Sequence, residues 1–454
     1  MSTSSSRFGI AAFVALVVGL ALHNVVMAEL WDAGVRGRTL DVVAAWKEVL
    51  LLLAFLLVAW RVRRLPSITA ADVFAGAYAA SLLAYALLPQ GWLGGNATTH
   101  GILLALRHDL LPVGGYAFGR LLGLAWREPR HVGMLVALTA AGVAVVGLFD
   151  VFFVSLQSWR DSGVPGWYRE QLSLDYRCLS YLPENWVYNT GEESNPIRRL
   201  VSTFLSPLAT AYVLTVALVF VVSRLFRWWA VVLSALLFVA LLYTHTRAAI
   251  LALAGGLLLL ALVQRRLPPL IVAGLAVLVS AGFFAVYSTI GPSTSYTAAE
   301  LVCLRKNAQE HPGASAEPFS TSDASLSSHW RNLRDGVTTV MHHPQGYGLG
   351  NAGVVAMRTG VQIQAGESTY PELGVETGIV GVAAFLLWNL ALLVGLWKRK
   401  AAWLAAAFAA VLLLGLQTDI IGVHWIAVVV WAAAGMAITG SAAKPEAAAA
   451  ESPG

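Results

Sequence analysis

The chain has 454 residues, of which 57% are hydrophobic and 12% charged, with a mean hydropathy of +0.68. Soluble domains carry roughly 25% charged and 45–50% apolar residues, so the composition excludes an ordinary soluble fold and implies a multi-pass membrane protein. The net charge of +5 does not point to nucleic acid, because Lys and Arg fall in short clusters between apolar runs.

About 20 apolar residues in a helix cross a hydrocarbon core of roughly 30 Å. On that measure spans are expected near 8–30, 41–60, 69–88, 101–123, 132–157, 199–222, 228–244, 247–263, 270–290, 372–397, 401–421 and 423–440. The expected fold is therefore all-α, a polytopic membrane helix bundle of about 12 transmembrane helices. It forms a single domain over 1–440, followed by a disordered tail at 441–454 rich in Ala, Glu and Pro. The first apolar stretch is longer than a signal-peptide core and reads as a retained helix. Residues 228–263 as one helix would be about 52 Å long, too long for one crossing, so a tight hairpin is expected near Thr244–Thr246.

With these spans, Arg61, Arg63 and Arg64, Arg127 and Arg130, Arg224 and Arg227, Arg265 and Arg266, and Lys398, Arg399 and Lys400 all fall on one side. The positive-inside rule makes that side cytoplasmic, together with both termini. Two hydrophilic loops then lie outside, at about 158–198 and 291–371. The first is rich in Trp and Tyr. In the second, Trp330, Leu333, Val337, Val340 and Met341 recur at helical spacing, an amphipathic helix ended by His343-Pro344 that lies on the membrane or caps the bundle. The glycines of His343-Pro-Gln-Gly-Tyr-Gly-Leu-Gly-Asn351 sit between helices rather than after a strand, which argues against a dinucleotide site and for close backbone approach to another element or a ligand. Both cysteines, Cys178 and Cys303, fall in these loops, where an oxidising compartment permits a disulfide and chance placement is the competing reading.

Arg199 opens the sixth expected span and Arg247 sits at the hairpin, both on the outer side where the positive-inside bias disfavours arginine. Snorkelling to headgroups is the plain explanation of either; together they point to anion binding, because guanidinium grips phosphate bidentately. Further on, Thr369 to Glu372 matches a capping box with Pro371 in the first turn. Glu367 thus precedes a helix N-terminus, which favours its ionised form, suited to a general base. His100, His311, His329, His342 and His343 show no convincing zinc spacing, so no metal site is expected. Lys47, Glu48, Arg107, His108 and Asp109 are further charges within spans, able to pair with one another, and no role is assigned to them.

Three motifs in order resemble the O-antigen ligase and O-antigen polymerase superfamily of bacterial membrane glycosyltransferases. They are Arg199-Leu-Val-Ser-Thr-Phe-Leu-Ser-Pro207, Thr246-Arg247-Ala248, and the His343–Asn351 run followed by Glu376-Thr-Gly-Ile-Val-Gly381. The resemblance implies a GT-C-like fold in the bacterial inner membrane with a site facing the periplasm. It also implies a metal-independent, inverting transfer without cofactor, from a polyprenyl-diphosphate-linked (undecaprenyl-type) glycan to an acceptor sugar hydroxyl. On that reading Glu367, Arg247 and Arg199 are catalytic, the arginines holding the diphosphate. Arg331, His343, Gly348 and Tyr370 are then expected to contact diphosphate or glycan.

One departure bears on the acceptor. Ligases that use lipid A–core usually carry His-Asn where this chain has Glu367-Ser368, and Glu-Ser leans the reading toward a polymerase extending a lipid-linked repeat. A chain-length regulator is then a candidate partner beside membrane lipids. Two rivals of another class remain, a polysaccharide-lipid transporter or flippase and a non-catalytic assembly factor. No internal symmetry of the transporter kind is evident.

Overall fold

In lipid the backbone must satisfy its own polar groups, so the apolar runs fold as helices. The computed structural model describes residues 3–62, 65–126, 129–188, 196–310, 324–362 and 368–439. The main helices in chain order are α1 (Thr3–Asp32), α2 (Arg38–Ala44), α3 (Trp46–Arg61), α4 (Ala70–Leu87), α5 (Thr99–Ala125) and α6 (Pro129–Phe153). After the first long loop come α7 (Pro207–Val222), α8 (Trp228–Tyr243), α9 (Arg247–Gln264) and α10 (Pro268–Ile290). The second loop contains α11 (Ala298–Glu310), α12 (Ala324–His342) and α13 (Gly353–Thr359). The chain then returns through α14 (Thr369–Lys398), α15 (Ala402–Leu414) and α16 (Trp431–Thr439), the last entered by a π-turn at Ile426–Val430.

Among the described residues seven segments are long and apolar enough to cross a membrane, and four shorter apolar helices accompany them. The architecture is an all-α membrane bundle. Among the described residues the only sheet is a two-stranded antiparallel ribbon, β1 (Val187–Tyr188) paired with β2 (Ile197–Arg198). The expected hairpin is present: α8 ends at Tyr243 and α9 begins at Arg247. The tail 441–454 lies outside the described residues.

Two expected boundaries shift. The sixth span starts at Pro207, not at 199, because Pro207 takes the first helical position and the Ser206 hydroxyl caps it by accepting from the Ala209 N–H. Arg199 is therefore loop rather than helix. The eleventh stops at Leu414, since the following carbonyls of Gly415 and Thr418 accept hydrogen bonds from Ser368 and Thr369 instead of continuing a helix.

A stripe of small residues sets the packing that matters most. Gly115, Gly119 and Gly123 recur every fourth residue on α5, and a Cβ at Gly119 would stand 2.0 Å from the Ala432 carbonyl oxygen. Equivalent atoms at Gly115 and Gly123 would collide with the Val428 and Met436 backbones, each at 2.7 Å. Backbone-to-backbone approach of this kind is how helices associate where lipid gives no hydrophobic drive. It fixes α5 against the last helix, and thereby His108 against the loop that carries Asp419.

The two long loops are tied together. Cys178 and Cys303 form a disulfide with Cα atoms 5.3 Å apart. Beside it, Arg160 of the first loop pairs with Glu300 of α11 at 2.7 Å, both almost fully buried, and the Ser180 hydroxyl donates to the same carboxylate at 2.6 Å. A buried pair with its remaining lone pairs satisfied is costly to break from either side. Denatured protein treated with a thiol-alkylating reagent should gain no mass before reduction and two adducts after it. Adducts without reductant would show that the loops are not bridged.

Candidate active site

The arginine segment 196–206 threads between three elements. The Arg198 N–H donates to the Pro292 carbonyl, the Arg199 N–H to that of Trp186, and the Leu200 N–H to that of Tyr243, each at 2.8–2.9 Å. Arg198 itself is buried against Asp150 at 3.2 Å and is structural. Arg199 points the other way. Its Nε donates to the Thr244 carbonyl at 2.8 Å, and a terminal nitrogen to the Thr246 hydroxyl at 3.2 Å. It thus grips the hairpin whose next residue is Arg247, the first residue of α9.

The two guanidinium groups lie within electrostatic range of each other. Burial, with Arg247 adding to it, pushes Arg199 down to about 10, so it remains a cation at neutral pH. His245 between them adopts a left-handed φ of 49° and is stacked on Tyr287 with ring centroids 4.6 Å apart. Burial first, then both arginines, hold its imidazole well below the usual value, so it is neutral. The hydrogen-bond partners of Arg199 named above are a carbonyl and a hydroxyl, which carry no compensating charge. Two like charges within range of each other favour an anion.

The glycine-rich run has a different task. Helix α14 is broken at Gly378, which takes φ 63° and ψ −170°. The His343–Asn351 loop fills the gap. The Tyr347 N–H donates to the Val375 carbonyl at 2.6 Å and the Gly348 N–H to that of Glu376 at 3.1 Å, while the Ile379 N–H donates to the Pro344 carbonyl at 2.9 Å. The Gly350 N–H reaches the Glu376 carboxylate at 2.9 Å. Gly346 and Gly348 both have positive φ, and a Cβ on Gly346 would lie 2.4 Å from the Gly378 nitrogen. Asn351 pins the loop, its amide donating to Gln90 and to the Tyr347 and Gly348 carbonyls while its oxygen accepts from the Asn96 N–H.

Below the break is a pocket lined by His108, Asp109, Thr369, Glu372, Glu376 and Asp419, among others. His108 bridges two carboxylates, Nδ1 to Asp109 and Nε2 to Asp419, each at 2.8 Å. Asp419 also accepts from the Ile421 and Gly422 N–H groups at 2.9 and 3.0 Å. Tyr212 on α7 is within electrostatic range of both Arg199 and Asp419, so the arginine site and the acidic pocket are neighbours at one end of the bundle. Sequence reading singled out neither Asp419 nor Tyr212. A carboxylate just after an apolar helix and a tyrosine inside one were the available signals.

The remaining expected residues are placed as follows. His343 Nε2 contacts the Leu93 carbonyl at 2.8 Å, and its ring stacks on Tyr347 at 3.9 Å. The Tyr370 hydroxyl donates to the Leu412 carbonyl at 2.6 Å, and Arg331 is exposed on α12. Glu367 lies outside the described residues, immediately before Ser368. The capping box expected at Thr369 does not form: Ser368 is the residue before the helix, and no side chain caps it, because the Ser368 hydroxyl donates to the Gly415 carbonyl and the Thr369 hydroxyl donates to the Thr418 carbonyl and accepts from the Ile420 N–H. Lys47, Glu48 and Arg107, left without a role, pair with one another, Arg107 to Glu48 at 2.7 Å and Lys47 to Glu48 at 3.5 Å.

Residues 232–386 match the family model described as O-antigen ligase. The match spans about a third of the chain; it bears out the resemblance to the O-antigen ligase and polymerase superfamily and implies a glycosyltransferase-type activity. No curated protein matches the chain. The matched stretch contains Arg247, Arg331, the His343–Asn351 loop, Glu367 and the Gly378 break, whereas Arg199, His108 and Asp419 lie outside it in sequence.

Gly378→Ala tests the break. The added Cβ would stand 2.4 Å from the Pro344 carbonyl oxygen at a backbone angle that side chains avoid. A loss of about 2–4 kcal/mol is expected, read as a lowered thermal midpoint with membrane insertion intact. An unchanged midpoint would mean that the loop does not depend on this geometry.

Proposed function

We propose that the protein transfers a glycan from a polyprenyl-diphosphate carrier to an acceptor sugar hydroxyl at the end of the bundle opposite the basic clusters, and that it works as a surface-polysaccharide polymerase. The observation that carries the reading is the pair of guanidinium groups, Arg199 and Arg247, held within electrostatic range of each other, with Arg247 inside the stretch that matches the ligase family. By the positive-inside rule that end faces the periplasm of a cell whose inner membrane holds the protein.

The acceptor oxygen attacks the anomeric carbon as the bond from that carbon to the diphosphate oxygen breaks. The diphosphate leaves with the electron pair, and its growing charge falls on the two arginines. The acceptor's proton passes to the Glu367 carboxylate. Attack opposite the leaving group inverts the anomeric centre. For the carrier's hydrocarbon there is an apolar groove of about 660 Å³ between α12 and the α14–α15 pair, lined by Leu333, Val337, Val340, Tyr370, Pro371 and Leu412. Its Tyr370–Pro371 edge is close in sequence to Glu367, so a lipid lying there would present its diphosphate near the base. Arg331, on the exposed face of the helix that walls this groove, and His343 and Gly348 in the loop are the proposed glycan and diphosphate contacts.

A transporter remains the reading of another class, and the break at Gly378 is the one feature in its favour. The break sits in the outer third of a 30-residue helix, not at its middle, and protein backbone fills it. Ligation to lipid A–core, rather than polymerisation, is the other outcome, and Glu367-Ser368 in place of His-Asn supports the polymerase. Purified protein incubated with lipid-linked repeat units should give a ladder of polymers. Transfer to lipid A–core would make it a ligase. Glu367→Ala and Arg247→Ala should each lower turnover by about 10²–10³-fold while the protein inserts normally. Full activity in Arg247→Ala would sink the mechanism.

A further inference from the structure

The other end of the bundle holds a feature that glycan transfer does not use. Three interhelical turns converge there, α7–α8, α9–α10 and α14–α15. They enclose a cavity of about 1510 Å³ lined by Arg224, Arg265, Arg266, Lys398 and Lys400, together with Phe226, Trp397 and Trp403. Among the described residues no Asp or Glu lines it, so five described cations share one concave surface. Charge clusters at this end satisfy the topology rule wherever they stand, but that rule asks only for location, not for a shared cavity.

Two backbone observations separate this cavity from a bare topological signal. Arg265 and Lys400 both adopt the left-handed conformation, with φ of 53° and 55°. Arg265 is the C-cap of α9, a place where glycine is the residue without a steric penalty. Cationic side chains are kept at both positions in spite of that penalty. The aromatic groups add a second feature: Trp397 and Phe226 are exposed at the rim while Trp403 is buried at the wall. Amphipathic rings at that level belong to the boundary between headgroups and acyl chains.

We propose that this cavity binds the headgroup of an anionic phospholipid from the leaflet at the basic end, with its phosphates on Arg265, Arg266, Lys398 and Lys400 and its acyl chains along Phe226 and Trp397. A lipid with two phosphates, of the diphosphatidylglycerol type, matches the charge and the volume better than a lipid with one. Basic pockets between transmembrane helices on this side bind such headgroups by the same physics. The occupant is a structural lipid that clamps α7, α9 and α14 together, on the face away from the reacting sugars.

The test uses the full chain, purified in a neutral detergent, with thermal unfolding as the readout. Diphosphatidylglycerol should raise the midpoint by about 2–4 °C at saturation, whereas phosphatidylcholine at equal concentration should leave it unchanged. In Arg265→Gly/Lys400→Gly the backbone penalty is relieved, so the variant folds at least as well without lipid, and the lipid-induced shift should disappear. Arg266→Gln/Lys398→Gln removes charge at ordinary backbone angles and should lose most of the shift as well. An equal shift from phosphatidylcholine, or an undiminished shift in both variants, would overturn the proposal. The same shift from inorganic pyrophosphate would overturn it too, by making the ligand a soluble phosphate and not a lipid.

Discussion

Interrupting a helix inside a membrane bundle frees backbone N–H and C=O groups that lipid cannot satisfy, each at a cost of several kcal/mol. The site depends on how this chain meets that demand at Gly378. It supplies the missing partners from a second stretch of backbone, the His343–Asn351 loop, and only a loop without a side chain at Gly346 can come close enough. Once docked, the loop is no longer a free connection. It places the Gly350 N–H on Glu376 and brings Asn351 against the turn before α5.

The same solution recurs around Arg199. Its segment lacks helical partners, and its N–H groups are taken by carbonyls of the first loop, of the α8–α9 hairpin and of the stretch after α10. A guanidinium on such a segment is positioned by three elements at once. The disulfide and the Arg160–Glu300 pair join the loops that provide those carbonyls, so the rigidity of the arginine is borrowed from the outer walls. The Gly115–Gly119–Gly123 stripe acts within the bundle in the same way, setting His108 against Asp419 by backbone contact.

Much of this was legible in the sequence for plain reasons. Apolar runs have to be helices in lipid, a 36-residue apolar stretch from 228 to 263 has to turn, and the amphipathic pattern at Trp330–Met341 has a period that only a helix shows. The motif order also pointed to the O-antigen ligase resemblance that residues 232–386 bear out. What escaped was long-range. Nothing local to Asp419 says that its partner is His108, since the two are 311 positions apart, and nothing local to Gly378 says that its φ is positive. Thr369 shows how a local rule fails: its hydroxyl suits a capping box, but a neighbouring loop offered it two partners instead. The small-residue stripe on α5 was readable at the required spacing, and hydropathy alone passes over it.

The link between Cys178 and Cys303 also has a meaning for biogenesis. The two cysteines are 125 positions apart, with four membrane-level helices, α7 to α10, between them. The ribosome therefore releases the first partner well before the second, and the bond closes only after those helices have been inserted and both loops have crossed. In the proposed orientation the thiols meet an oxidant only outside the cytoplasm. Maturation of the outer walls is then an event timed by export, and a newly inserted chain spends an interval with its loops still unfastened.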